Sequence, residues 1–242
     1  MEILGVRVDA IDMAGAVAWI AQVLSAPETP ACLAQVVTIN PEGVMLARED
    51  QELKQIIEEA ALVTPDGSGI LWAAEKLGRP LPARVTGIDL LEQLAGIGAP
   101  QGWRVYLLGA KPGVAEQAAE TLCARYPGLQ IVGTENGYFQ DREAAVVKRI
   151  RSVQPDLLLA ALGMPFQEKW LYQHRKDLGC KVAIGVGGSF DVLAGTVKRA
   201  PKLWQRLRLE WLWRLLSDPK RWRRYLAIPR FMAAVGRERK RR

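Results

Sequence analysis

The chain has 242 residues, 33 Lys+Arg against 26 Asp+Glu, 49% hydrophobic residues and a pI near 9.5. That length supports one large domain or two small ones with a real core, and the balanced composition argues against disorder. No apolar run reaches the ~18–20 residues that a membrane-crossing helix needs, and the opening Met1-Glu2-Ile3-Leu4-Gly5 lacks the basic-then-apolar pattern of a secretory signal.

Residues 1–195 alternate short aliphatic or β-branched runs with amphipathic stretches, which predicts an α/β fold with largely parallel sheets. Strands are expected over 3–8, 33–38, 61–64, 104–108, 129–132, 157–161 and 182–186. Helices are expected over 13–24, 43–59, 68–77, 88–96, 114–125, 141–152, 166–176 and 190–194. A break near residues 98–102 divides this body into two Rossmann-like halves, about 1–98 and a nucleotide-binding 102–195.

In such sheets ligands sit beyond the carboxyl ends of the strands, so the strand-to-helix junctions carry the chemistry. The first expected strand with a polar exit is followed by Thr38-Ile39-Asn40-Pro41-Glu42, the next by Pro65-Asp66-Gly67-Ser68-Gly69. Later junctions are Gly109-Ala110-Lys111-Pro112-Gly113, Gly163-Met164-Pro165-Phe166-Gln167-Glu168 and Gly185-Val186-Gly187-Gly188-Ser189. Glycine turns that open a helix can receive phosphate on free N–H groups, although glycine at a strand end also serves a tight turn, and none of these matches a P-loop or Gly-x-Gly-x-x-Gly. Asp66 has two readings: cap of the helix that follows, or general base. Thr38 and Asn40 are candidates to orient a substrate, with Arg84 and Gln167 as further polar side chains in loops.

The single histidine, His174, excludes sites built on two imidazoles. Cys32, Cys123 and Cys180 lack metal-ligand spacing, lie in apolar runs and are expected as reduced core residues of a cytoplasmic protein. No Asp-x-Asp pair is present to hold a divalent ion against a nucleoside-diphosphate sugar. No metal and no cofactor is therefore expected, and phosphate charge falls to Arg and to protein dipoles.

Charge is divided sharply along the chain. Residues 196–242 hold 16 Lys+Arg and 3 acids, net +13, whereas residues 1–195 hold 17 and 23, net −6. On a helical reading Trp204, Leu207, Trp211 and Leu215 form one apolar ridge, and Leu209, Trp213 and Leu216 a second, with Arg206, Glu210 and Arg214 between. Arg interleaved with Trp and aliphatic residues fits an anionic membrane surface better than a nucleic-acid backbone. A helix packed on the body or on a second copy of the chain is the alternative, so homo-oligomers off the membrane are among the expectations.

In order along nearly the whole chain, the junction sequences above other than the one at Gly109, with Arg84-Val85-Thr86-Gly87, Asp191, Lys198-Arg199-Ala200-Pro201, Leu209-Glu210-Trp211 and Arg221-Trp222-Arg223-Arg224-Tyr225, resemble the WecG/TagA/CpsF family of bacterial glycosyltransferases. The resemblance implies transfer from a UDP-sugar to an undecaprenyl-diphosphate-linked saccharide at the inner face of the cell membrane. Its best-known activity joins N-acetylmannosamine to lipid-linked N-acetylglucosamine in the linkage unit of wall teichoic acid, with inversion and without a metal. It makes Asp66 the base and Thr38, Asn40, Arg84 and Gln167 substrate-binding residues. It also assigns Gly109, Tyr138, Gly187 and Asp191 to the UDP region, and Arg214, Arg221 and Arg224 to the lipid diphosphate. Phe166 stands where a basic residue is expected. Two other readings are a different UDP-sugar donor, such as UDP-N-acetylmannosaminuronic acid or a capsule sugar, and a nucleotide- or RNA-binding regulator with a basic tail.

Overall fold

The structure is a computed structural model that describes residues 1–201, Trp204, Leu212, Trp213 and 226–241. The chain opens with a two-stranded antiparallel ribbon, β1 (Glu2–Ile3) and β2 (Val6–Arg7). Leu4 and Gly5 form its turn with φ of 54° and 75°, as a two-residue type I′ hairpin requires. The strand expected over 3–8 is therefore a folded-back ribbon. After α1 (Met13–Leu24), capped by Asp12, come β3 (Ala34–Ile39), α2 (Pro41–Glu49), α3 (Gln51–Glu59), β4 (Leu62–Pro65), α4 (Ser68–Lys76) and α5 (Gly87–Gln101). The single helix expected over 43–59 is broken at Asp50, which ends α2 and caps α3 by accepting from the Leu53 N–H.

The second half supplies β5 (Arg104–Gly109), α6 (Val114–Arg125), β6 (Gln130–Glu135), α7 (Glu143–Val153), β7 (Leu157–Ala161), α8 (Phe166–Gln173), β8 (Val182–Gly185) and α9 (Ser189–Leu193). Six strands form one sheet in the order β4-β3-β8-β7-β5-β6, and every pairing is parallel. The α/β fold is as expected, with one sheet running through both halves: β3 of the first pairs with β8 of the second. The central strands β7 and β8 are buried along their whole length, as continuous apolar runs covered on both faces must be.

The covering is two-sided and alternates along each strand. Val36, Leu107, Leu159 and Ile184 face α1, α5, α6 and α9, while Val37 packs with α2, α3 and α4, and Leu108, Leu158 and Ala183 pack with α7 and α8. One more described helix, α10 (Ala227–Arg241), lies against α2 and α4 by Phe231, Ala234 and Val235, spaced as one helix face. Arg230, Arg237, Arg239 and Lys240 on α10 are exposed.

Candidate active site

Because all six strands run the same way, their carboxyl ends share one edge. The helix leaving β8 (α9) covers one face of the sheet, whereas those leaving its neighbours β3 and β7 (α2 and α8) cover the other. Chains that part to opposite faces open a crevice between them, so the edge above β8 is where this topology receives a ligand.

Three segments run side by side at this edge. The Asp66 N–H donates to the Ile39 carbonyl at 2.8 Å, and the Val85 N–H donates to the Pro65 carbonyl at 2.8 Å. The backbone at Asn40, Asp66 and Arg84 is thereby brought together from positions far apart in sequence. Asp66 and Arg84 are both half-buried. The residue that precedes α4 is Gly67, with no side-chain cap bond, so Asp66 does not occupy the cap position. Asn40 does cap: its side-chain oxygen accepts from the Gly43 N–H at 2.8 Å at the start of α2. The helices that open here, α2 and α4, direct their N-terminal dipole ends to the same corner.

Thr38 and Gln167 are bound inward. The Thr38 hydroxyl donates to the Gly185 carbonyl at 2.8 Å, tying β3 to the end of β8. The Gln167 oxygen accepts from the N–H groups of Gly163 (3.1 Å) and Gly187 (3.3 Å), and its nitrogen donates to Glu168 at 2.7 Å. Both side chains are almost wholly buried.

On the other side of the crevice polarity comes from the backbone. Gly109 ends β5 at φ 126°, and a Cβ there would lie 2.5 Å from the Ala161 carbonyl carbon and oxygen, so no other residue fits without displacement. Tyr138, in the turn after β6, is 63% exposed, and its N–H bonds the Asn136 side chain at 2.9 Å. Asp191 lies in the first turn of α9, and its carbonyl accepts from Thr196 Oγ1 (2.9 Å) and the Val197 N–H (3.0 Å), fixing the chain where it leaves the body. Arg199 then pairs with Asp89, 2.7 Å away, which also accepts from Thr86 at the start of α5.

The expected Arg214, Arg221 and Arg224 lie outside the described residues, as do most residues of the two tail ridges. Trp204 and Trp213, expected on separate ridges, have ring centroids 5.6 Å apart. Cys32 and Cys123 are exposed rather than in the core: Cys32 lies in the bend before β3, and Cys123 is on α6 but off the face that carries Ala115, Ala118, Ala119 and Leu122 into the core. Cys180 is buried, and burial pushes its thiol up to about 12. Among the described residues no group of three or more His, Cys, Asp or Glu converges as a metal site, and no helix is long and apolar enough to cross a membrane. Two open surface hollows, one beside Arg142 and His174 and the other beside Lys54 and Glu58, contain none of the expected site residues.

The sequence reading overlooked Glu168. It adjoins Gln167 at the start of α8, is 1% exposed, and burial pushes its carboxyl up to about 7. The signal was present in the adjacent Gln-Glu pair after a strand-end glycine, but burial of both side chains depends on β8 lying beneath them.

Comparison with known proteins identifies the family. The Glycosyl transferase WecG/TagA/CpsF family model matches residues 1–242. The chain belongs to this family. Among its relatives in the WecG/TagA/CpsF family, the N-acetylglucosaminyldiphosphoundecaprenol N-acetyl-beta-D-mannosaminyltransferase of Bacillus subtilis (strain 168) is 37% identical over 207 residues, covering 86% of this chain and 80% of the relative. The protein of the same name from Staphylococcus aureus (strain MRSA252) is 38% identical over 202 residues, with 84% and 79% covered. The chain is therefore a glycosyltransferase.

Proposed function

We propose that the chain transfers N-acetylmannosamine from UDP-N-acetylmannosamine to undecaprenyl-diphosphate-linked N-acetylglucosamine, the step that builds a teichoic acid linkage unit. The observation that carries this reading is the similarity, at 37–38% identity over more than four-fifths of the chain, to relatives named for that transfer. The convergence of Asp66 and Arg84 beside the crevice supports a mechanism for it.

In that mechanism Asp66 takes the proton from the acceptor hydroxyl as the oxygen attacks the anomeric carbon. The bond from that carbon to UDP breaks, and its electrons leave with the diphosphate, so one displacement inverts the centre. General-base help of this kind is worth about 10²–10⁴ in rate. Arg84 and the backbone N–H groups of the glycine turn after β5 oppose the charge that develops on the leaving diphosphate, a role for preorganised dipoles that involves no metal. Gly109, Tyr138, Gly187 and Asp191 border the space assigned to UDP.

The acceptor is a lipid, and the same reading puts the protein peripherally on the inner face of the membrane. Support comes from α10, which is apolar toward α2 and α4 and exposes Arg230, Arg237, Arg239 and Lys240. Basic side chains near an anionic leaflet contribute about 1 kcal/mol each. Arg214, Arg221 and Arg224 are proposed to hold the lipid diphosphate, for which the planar guanidinium is suited.

The test is a panel of UDP-sugars incubated with the protein and a lipid-diphosphate N-acetylglucosamine analogue. Consumption of UDP-N-acetylmannosamine in preference to the others is expected; preference for another donor would move the protein to a different polymer.

A further inference from the structure

Glu168 is the described carboxylate whose burial is hardest to explain by packing. Its Oε1 accepts from Gln167 Nε2 at 2.7 Å, but its Oε2 is buried and finds no hydrogen-bond partner among the described residues. An orphaned polar oxygen in the interior is unfavourable, and an apolar side chain of similar size would remove it. The carboxyl therefore contributes something other than stability.

What it contributes is the orientation of its neighbour. The Gln167 amide has two ends with opposite hydrogen-bonding character. Two N–H groups, from Gly163 and Gly187, converge on one end, which must be the oxygen; the other end meets Glu168 and must be the nitrogen. Without an acceptor at residue 168 the nitrogen has no partner and the amide is anchored at its oxygen end alone, by the two glycine N–H groups. The pair also fills the place of a side chain on β8: a Cβ on Gly185 would lie 2.5 Å from Gln167 Nε2 and 2.9 Å from Glu168 Oε1. On the far side of that residue the Gly185 carbonyl receives Thr38. The backbone of Glu168 is itself held, its carbonyl accepting from Gln35 Nε2 at 3.1 Å.

We propose that Glu168 is a positioning residue of the transfer reaction: by accepting from Gln167 it keeps the amide oxygen on Gly163 and Gly187, and so fixes the two turns that border the crevice above β8. This rests on reading that crevice as the transfer site. Gln167 and Thr38, on the same geometry, act by holding the end of β8 rather than by touching sugar.

The experiment compares the wild type with Glu168→Leu, which has no acceptor, and Glu168→Gln, which keeps an acceptor oxygen. Amide hydrogen exchange at Gly163 and Gly187, melting temperature and transfer kinetics are measured on each full-length protein. Glu168→Leu is expected to speed exchange at both glycines and lower kcat, each about tenfold, the effect of one lost buried hydrogen bond, while melting no lower than the wild type. Glu168→Gln is expected to restore most of both. Should the leucine variant fail to fold, Glu168→Met makes the same comparison. Unchanged protection of the two glycines in the apolar variant, or a loss of turnover with both amides still protected, would overturn the proposal. So would a glutamine variant that behaves like the apolar one. A wild type that transfers no sugar would instead sink the functional reading, and the exchange comparison would still decide whether Glu168 sets the turns.

Discussion

The two sides of the crevice reach polarity by different means. On the β4-β3-β8 side, side chains from distant parts of the chain are brought together: Asn40 caps α2, Thr38 and Gln167 bond the end of β8, and Asp66 and Arg84 stand on adjacent strands of backbone. On the β5-β6 side the junctions are glycine turns and an exposed Tyr138, with peptide groups as the available donors. The difference matches two tasks. Moving a proton needs a titrating side chain in a fixed place, whereas holding a diphosphate can be done by backbone N–H groups and helix dipoles.

If the division holds, substitutions on the two sides must fail differently. Asp66→Asn is expected to have the largest effect, a fall in kcat of about 10²–10⁴ with UDP affinity retained, measured by transfer and by calorimetric titration with UDP. Near-normal turnover would remove the proton-transfer role from this side.

A pH effect comes next. Burial raises the Glu168 carboxyl to about 7 from an ordinary 4.5. Between those values the unfolded chain gives up this proton while the folded chain keeps it, so folding weakens as pH rises through that window and the dependence levels off above about 7. The contribution is on the order of 3 kcal/mol, read as a denaturant midpoint that falls from pH 5 to pH 8 more steeply in the wild type than in Glu168→Gln.

On the backbone side, Gly109→Ala must move the Ala161 peptide, at a cost of about 1–3 kcal/mol in stability. It is expected to weaken UDP binding more than it alters the rate with saturating donor; the reverse pattern would place Gly109 with the proton-transfer residues. Arg199→Ala, which breaks the partly exposed pair with Asp89, should have the smallest effect, no more than about 1 kcal/mol in denaturant titration.

Much of the fold was legible because apolar runs with glycine exits mark parallel strands; the expected strand over 157–161 coincides with β7. Asp66 was legible for the same reason, since Pro-Asp-Gly directly follows such a run. The hairpin at Leu4–Gly5 was not, because a leucine with φ of 54° is imposed by the turn and leaves no sign in composition. The break at Asp50 was hidden by apolar spacing that continues through Leu53, Ile56 and Ile57 of α3. The inward bonding of Gln167 was out of reach for another reason. One of its partners, Gly187, is 20 residues away, and only the pairing of β7 with β8 brings it near. The charge division remains clear in the sequence, but the structural role of Arg214, Arg221 and Arg224 falls outside the described residues.

The central claim is a single displacement at the crevice above β8, and the most direct measurement is the anomeric configuration of the new glycosidic bond, read by NMR on product made from UDP-N-acetylmannosamine. An inverted centre relative to the donor is predicted. A retained centre would contradict the account, because it would require two displacements in place of the one that Asp66 is proposed to assist.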